Sequence, residues 1–285
     1  MSDELQIRNM TRDEVGELVE WAAKEGWNPG LHDADIFWLT DSEAYIAAEL
    51  DGELIGGGAI TSYGGEFGFM GFFIVKPEFR GRGLGNTLWH ARKDRLLGRI
   101  VPDAAIGMDG VFNMQAYYAN GGFEFSHRDI RFKSIGVESK HPESVVKLSE
   151  IPLDDVLAYD RKCFPAARAE FVEAWISQKD SAAFGVMDEG KLTGYGVIRR
   201  CREGCKIGPL FADDAEVAET LYKALAAFAP GESVYLDAPE NNQDAIALAH
   251  KYDMEEVFGC ARMYLGEKPS IQEASIFGVT TFELG

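Results

Sequence analysis

Two periods of apolar spacing alternate along this chain, and each marks a kind of element. Val15, Leu18, Val19 and Ala22 recur at helical spacing after Arg12 and stop at Gly26, so residues 12–26 predict a helix. Residues 5–11 before it alternate weakly, as a strand would, and residues 33–39 after it predict a short second helix. Residues 44–50 and 54–62 read as strands joined by Asp51-Gly52, a strong hairpin signal. Residues 67–75 are almost continuously apolar, which predicts a strand covered on both faces. A helix over 85–97, a short strand over 104–108, a helix over 113–119 and a strand over 123–132 follow.

The same order then returns. A strand over 144–148 and helices over 153–163 and 168–177 lead into strands over 182–187 and 192–200 around Asp188-Glu189-Gly190. A strand over 206–211, a helix over 215–228, a strand over 234–237, a helix over 243–251 and a strand over 257–265 complete it. Repetition on this scale predicts a duplicated fold. Identities agree: Asp109, Asn113 and Gln115 lie 128 residues before Asp237, Asn241 and Gln243, and Arg131 lies 131 before Arg262. Residues 134–143 are polar and hold Gly and Pro, so the expectation is two α/β domains, 1–136 and 143–285.

Composition narrows the class. A length of 285 residues suits two domains at roughly 100–200 residues each. Lys and Arg number 28 against 47 Asp and Glu, a formal charge of −19, which argues against a nucleic-acid partner. No apolar run reaches the roughly 18–20 residues of a membrane span, and the opening MSDELQIRNM has no apolar signal core. A cytoplasmic protein without membrane partner is expected. Cys163, Cys201, Cys205 and Cys260 read as reduced structural thiols, and no zinc spacing accompanies them.

One segment carries chemistry. The strand ending Phe73-Ile74-Val75 runs through Lys-Pro-Glu-Phe into Arg80-Gly81-Arg82-Gly83-Leu84-Gly85, which opens a helix. Glycines let backbone approach a ligand, and successive N–H groups at a helix start cradle an anion. Residues 76–99 hold seven basic and two acidic side chains, an island that suits a polyphosphate. Gly85 is followed by Asn86-Thr87, so a P-loop is excluded, and the dinucleotide fingerprint would need Gly at 86.

At these residues the sequence resembles the GNAT superfamily of acyl-CoA-dependent N-acyltransferases. The family pattern Arg/Gln-x-x-Gly-x-Gly/Ala matches Arg80, Gly83 and Gly85, and Tyr-x-x-x-Gly-Phe matches Tyr118, Gly122 and Phe123. The resemblance implies two tandem GNAT-like domains with mixed α+β sheets. It implies that acetyl-CoA is the acyl donor, its pyrophosphate held by amides of residues 80–85 and its pantetheine arm beside Phe73, Ile74 and Val75. Asn113 and Tyr118 would complete that site, with Tyr118 as the acid that protonates the departing thiolate. The second half resembles the same fold with its chemistry removed. Ala212-Asp213-Asp214-Ala215-Glu216 stands where the cradle would be, and Ala249, Asp253 and Met254 replace the second motif.

Direct attack needs a neutral amine, and an alkyl ammonium has a pKa of about 10.4, so a base is required. Some family members place a Glu on the central strand; Phe69 stands there, and Glu66 lies three residues earlier, on the opposite face. Asp109 and His127 are the remaining candidates, although Asp109 shares its place with Asp237 in the half without a donor site, as a capping or turn residue would. His32, His90, His141 and His250 show no ligand spacing, and no metal is indicated. For the acceptor, Trp27 and Phe37 would wall a pocket in which Asp33 and Asp35 hold an ammonium; as capping and core residues they would need no ligand. The expected reaction is transfer of acetyl from acetyl-CoA to a primary amine, the acceptor being a small cationic amine. The alternatives are a non-catalytic acyl-CoA-binding regulator and an acetyltransferase of protein lysines or N-termini.

Overall fold

The structure, a computed structural model, describes residues 5–140 and 142–285; His141 lies outside the described residues. The first half runs β1 (Leu5–Asn9), α1 (Arg12–Lys24), α2 (Asp33–Thr40), β2 (Tyr45–Leu50), β3 (Glu53–Tyr63), β4 (Phe67–Val75), α3 (Leu84–Leu97), β5 (Ile106–Val111), α4 (Gln115–Asn120) and β6 (Glu124–Ile135). Local chemistry accounts for several boundaries. The Thr11 hydroxyl accepts from the Glu14 N–H while the Glu14 carboxylate accepts from the Thr11 N–H, a capping box that starts α1. The helix then buries Val15, Leu18, Val19 and Ala22. Asp51 and Gly52 are both left-handed, at φ 50° and 86°, which suits the tight turn between β2 and β3.

The second half runs β7 (Val145–Lys147), α5 (Leu153–Cys163), α6 (Ala169–Ser177), β8 (Ser181–Asp188), β9 (Lys191–Arg200), β10 (Cys205–Ala212), α7 (Ala215–Ala226), β11 (Ser233–Pro239), α8 (Gln243–Lys251), β12 (Glu255–Leu265) and β13 (Ile276–Gly278). The duplication is therefore structural as well as sequential, with β13 as an addition. All four cysteines are buried free thiols. Among the described residues no helix is long and apolar enough to cross a membrane.

The halves do not sit side by side as two closed sheets. One mixed sheet runs β1-β2-β3-β4-β5-β12-β6-β11-β10-β9-β8-β7, with β13 joining β10 off that path. Strand β12 of the second half thus lies between β5 and β6 of the first, and β6 pairs with β11. The repeated Asp and Arg mark this exchange. Arg262 on β12 pairs with Asp109 on β5 at 2.6 and 2.8 Å, and Arg131 on β6 pairs with Asp237 on β11 at 2.6 and 2.7 Å. Each arginine is the Cα partner of its aspartate across the ladder. Removing one partner of such a buried pair costs roughly 3–5 kcal/mol, so the pairs hold the exchanged register.

On one face, α1, α2, α5 and α6 share a single core that spans both halves, with Phe37 stacked on Trp175 at 6.2 Å. On the other, α3 covers first-half strands through Leu88, Trp89 and Leu96, while α7 and α8 cover the second half.

Candidate active site

Strands β4 and β5 are parallel but pair only at Gly68 with Ile106 and Phe69 with Gly107. Beyond that point they part. An extra residue in β4 opposite β3 makes a bulge, and Phe72 there is left-handed at φ 50°. Arg92 of α3 fastens the bulge from beneath, donating to the carbonyls of Gly71 and Ala59. Its guanidinium is fully buried, and burial pushes its pKa down to about 10.

At the open end, β4 passes through the turn Pro77–Phe79 into the loop that starts α3. Gly81 and Gly83 are left-handed at φ 75° and 81°, and no atom lies within 4 Å of where a Cβ would stand on either. The first turn of α3 therefore presents its amides in an open cradle. Arg80 braces the rim, donating to the Val75 carbonyl at 2.7 Å and to Glu25 at 2.5 Å.

A cleft of about 1260 Å³ joins these features. It is lined by Phe73, Ile74, Val75, Arg80, Gly81, Gly83 and Gly85, and deeper by Asp109, Asn113 and Tyr118. Arg82 and Leu84 do not line it; the Arg82 guanidinium lies over the Phe79 ring. Tyr118 packs its ring on Trp89 at 5.0 Å, and burial pushes its phenol up to about 12, so it keeps its proton at neutral pH.

Other expected residues are placed differently. The basic island does not face the cleft as a unit, because most of its cations stitch the fold. Lys76 pairs with Glu53, Arg95 bonds Asn9 and the Ile7 carbonyl, Arg99 pairs with Asp41, and Arg92 is buried. The acceptor loop contributes Trp27 alone. Asp33 is fully buried in an ion pair with Arg199 and caps the Gly30 amide, Asp35 is exposed and bonded to Arg12, and Phe37 is core. Asp33, Asp35 and Phe37 are therefore corrected to structural positions: their oxygens are engaged or distant, and the ring has no cleft face.

Asp109 lines the cleft, but both its oxygens accept from Arg262. Burial raises its carboxyl, Arg262 opposes that rise, and Asp129 beside it adds to it, since two carboxylates share one guanidinium. His127 sits behind, outside the cleft lining, its Nε2 3.5 Å from Asp129.

Among the described residues the second half has no equivalent opening. Strands β10 and β11 pair from Cys205 with Val234 to Ile207 with Leu236, and then β13 enters beside β10, with the Val279 N–H donating to the Asp237 carbonyl at 2.8 Å. The chain's own backbone fills the place where the first half opens. Beyond β13 the segment stays buried and crosses to the first half, where Phe282 and Glu283 line the cleft. Its backbone passes so close to β4 that a Cβ on Gly71 would stand 1.9 Å from the Glu283 carbonyl oxygen. Glu283, Phe282, Phe258 and Cys260 escape the sequence reading, as does Arg92. A signal existed for the first two: apolar Ile276, Phe277, Val279, Phe282 and Leu284 are too dense for a solvated tail.

Comparison with known proteins agrees with this architecture. A family model described as "Acetyltransferase (GNAT) family" matches residues 12–123, and one described as "Acetyltransferase (GNAT) domain" matches 156–278. Holothin acyltransferase of Pseudoalteromonas sp. (strain SANK 73390) is 28% identical over 93% of this chain and 90% of its own. A Pyrococcus horikoshii structure assigned as an acetyltransferase superposes with TM-score 0.84 at 23% identity, covering 99% of this chain and 96% of its own. A tandem GNAT protein from the clavulanic acid biosynthesis pathway superposes with TM-score 0.65 at 16% identity, covering 94% and 100%. At those identities the structures speak for the fold alone.

Proposed function

The chain belongs to the GNAT acyltransferases, in tandem form, and from that premise we propose that the cleft of the first half, completed by Phe258, Cys260, Phe282 and Glu283 of the second, moves an acetyl group from acetyl-CoA to a small cationic amine by direct attack. One observation carries this reading: a single cleft runs from the glycine cradle, along the unpaired edge of β4, to Tyr118. The cradle fits an anion, because Gly81 and Gly83 leave open the space that side chains would fill. Amides of Gly81, Gly83 and Gly85 would hold the pyrophosphate, with Arg80 at the rim. The free edge of Phe73, Ile74 and Val75 would pair with the amide-bearing arm, as an added strand does. Asn113 lies on the facing wall.

Bound acyl-CoA supplies a thioester carbonyl open to attack by a neutral amine. Tyr118, still protonated, donates its phenolic proton to the sulfur that leaves. Asp109, held by Arg262, is a positioning residue that keeps β5 and β12 in register at the floor. Trp27, Phe72, Phe258 and Phe282 wall the far end, which favours a compact amine with an apolar body over a polar protein tail. A relative named for holothin supports a small-molecule acceptor as well. Residues 143–285 carry no second donor site in this reading, since β13 occupies its splay.

Calorimetry with acetyl-CoA tests the donor half. One site per chain is expected, and Gly83→Asp weakens it at least tenfold, about 1.4 kcal/mol, by placing a carboxylate in the cradle. Two equivalent sites, or undiminished binding by the variant, overturn the assignment. Thiol release with a panel of amines then identifies the acceptor.

A further inference from the structure

We propose that Glu283, carried into the cleft by the segment that follows β13, takes the proton from the acceptor amine. The inference rests on the acyl-transfer reading above and supplies the base that Phe69 cannot. Four carboxylates line the cleft: Glu25, Asp109, Glu256 and Glu283. Glu25 is bound to Arg80 at the rim, Asp109 gives both oxygens to Arg262, and Glu256 is exposed at the mouth. Glu283 alone is buried, at 3% exposure, without a salt-bridge partner among the described residues.

Its setting is built. The Thr281 hydroxyl donates to Oε2, and the Glu283 amide donates back to Thr281 Oγ1 at 3.2 Å, so the side chain is tied to its own turn. Among the described residues Oε1 has no hydrogen-bond partner, although Glu283 borders a cleft walled by Phe72, Phe258 and Phe282. The close approach to Gly71 sets the residue against the β4 bulge, where the strand edge becomes free. Arg131 on β6, Arg199 on β9 and Lys206 on β10 lie near enough to interact with its charge. The two arginines already have Asp237 and Asp33 as partners.

The step balances as follows. The nitrogen lone pair forms the C–N bond and the C–S bond breaks. Glu283 has by then taken the ammonium proton and passed it to solvent; the thiolate takes the Tyr118 proton, and solvent carries the surplus N–H proton to Tyr118. The vestigial donor groove of the second half then has a use: gripping β13 there delivers this carboxylate to the working half.

The test is steady-state kinetics of the full chain with Glu283→Gln, beside acetyl-CoA titration. For an alkylamine, kcat/KM is expected to fall about 10²-fold or more. Acetyl-CoA affinity stays within about twofold, and Glu283→Asp recovers part of the rate. The loss is smaller for a weakly basic amine that is already neutral at pH 7, a difference that a merely structural role would not produce. Should Glu283→Gln fail to fold, Thr281→Val removes the hydroxyl that steers the carboxylate and is expected to lower kcat about tenfold with donor affinity retained. Unchanged kinetics in the variant that folds, or equal losses for both amines, overturn the proposal while leaving the donor site standing. Wild-type protein that binds no acyl-CoA overturns both.

Discussion

Tyr118 joins packing to chemistry in one side chain. Its ring fills space beneath Gly110, where a Cβ would meet it at 2.4 Å, and its hydroxyl makes no hydrogen bond among the described residues. Tyr118→Phe should therefore keep the fold and acetyl-CoA affinity while kcat falls about 10²-fold, the usual worth of a positioned acid. Rapid-quench turnover beside calorimetry separates the two quantities; equal turnover at unchanged affinity would remove the phenol from the mechanism. Residues like this were legible because their signal is local: Tyr118 and the glycines sit in short runs with fixed spacing. Arg92 was not, because nothing in its own neighbourhood says that its charge ends under a bulge instead of in solvent.

Elements carry their own electrostatics, and the β1–α1 junction is the clearest case. Arg8 bonds both oxygens of Glu14 at 2.6 and 2.9 Å, and Glu14 also closes the capping box on Thr11. The Arg8 hydrogen bond leads the causes that hold the Glu14 carboxyl at about 2, below its ordinary 4.5, against the opposing effect of burial. A depressed carboxyl stabilises the fold above its unfolded value and loses that contribution as pH falls through the folded one. Glu14→Gln should thus cost about 1 kcal/mol at neutral pH. It should also flatten the fall in Tm between pH 4.5 and 2, measured by calorimetric scans. Element existence was readable almost throughout from periodicity, with α5, α8 and β4 matching the expected bounds. The short strand expected at 104–108 lies at Ile106–Val111, because Ala104 is still held in a turn, its N–H donating to the Val101 carbonyl.

On the scale of the whole molecule, the duplicated Asp and Arg were the one trace of the strand exchange. Read as a repeat, they suggested two equal domains; in space each Asp meets the other half's Arg. Pairing between halves leaves no mark in hydrophobic period, so this arrangement stayed out of reach of the sequence. A fragment of residues 1–140 lacks β12 between β5 and β6, and lacks β11 beyond β6. It should fail to reach a cooperative fold, seen as a non-sigmoidal urea transition and aggregation, and adding 143–285 in trans should recover structure. A fragment that unfolds cooperatively and binds acetyl-CoA would contradict this account. Intact protein should melt in one transition that acetyl-CoA shifts upward as a whole.

The exchanged strand also sets a schedule for synthesis. β5 is complete at Val111, yet its neighbour β12 ends only at Leu265. At about 5–20 residues per second, a ribosome needs roughly 8–30 s to close that gap. During that interval the nascent first half carries an open strand edge, the feature from which intermolecular pairing begins. Expression temperature and chaperone supply should therefore govern yield more strongly than the stability of the finished protein does.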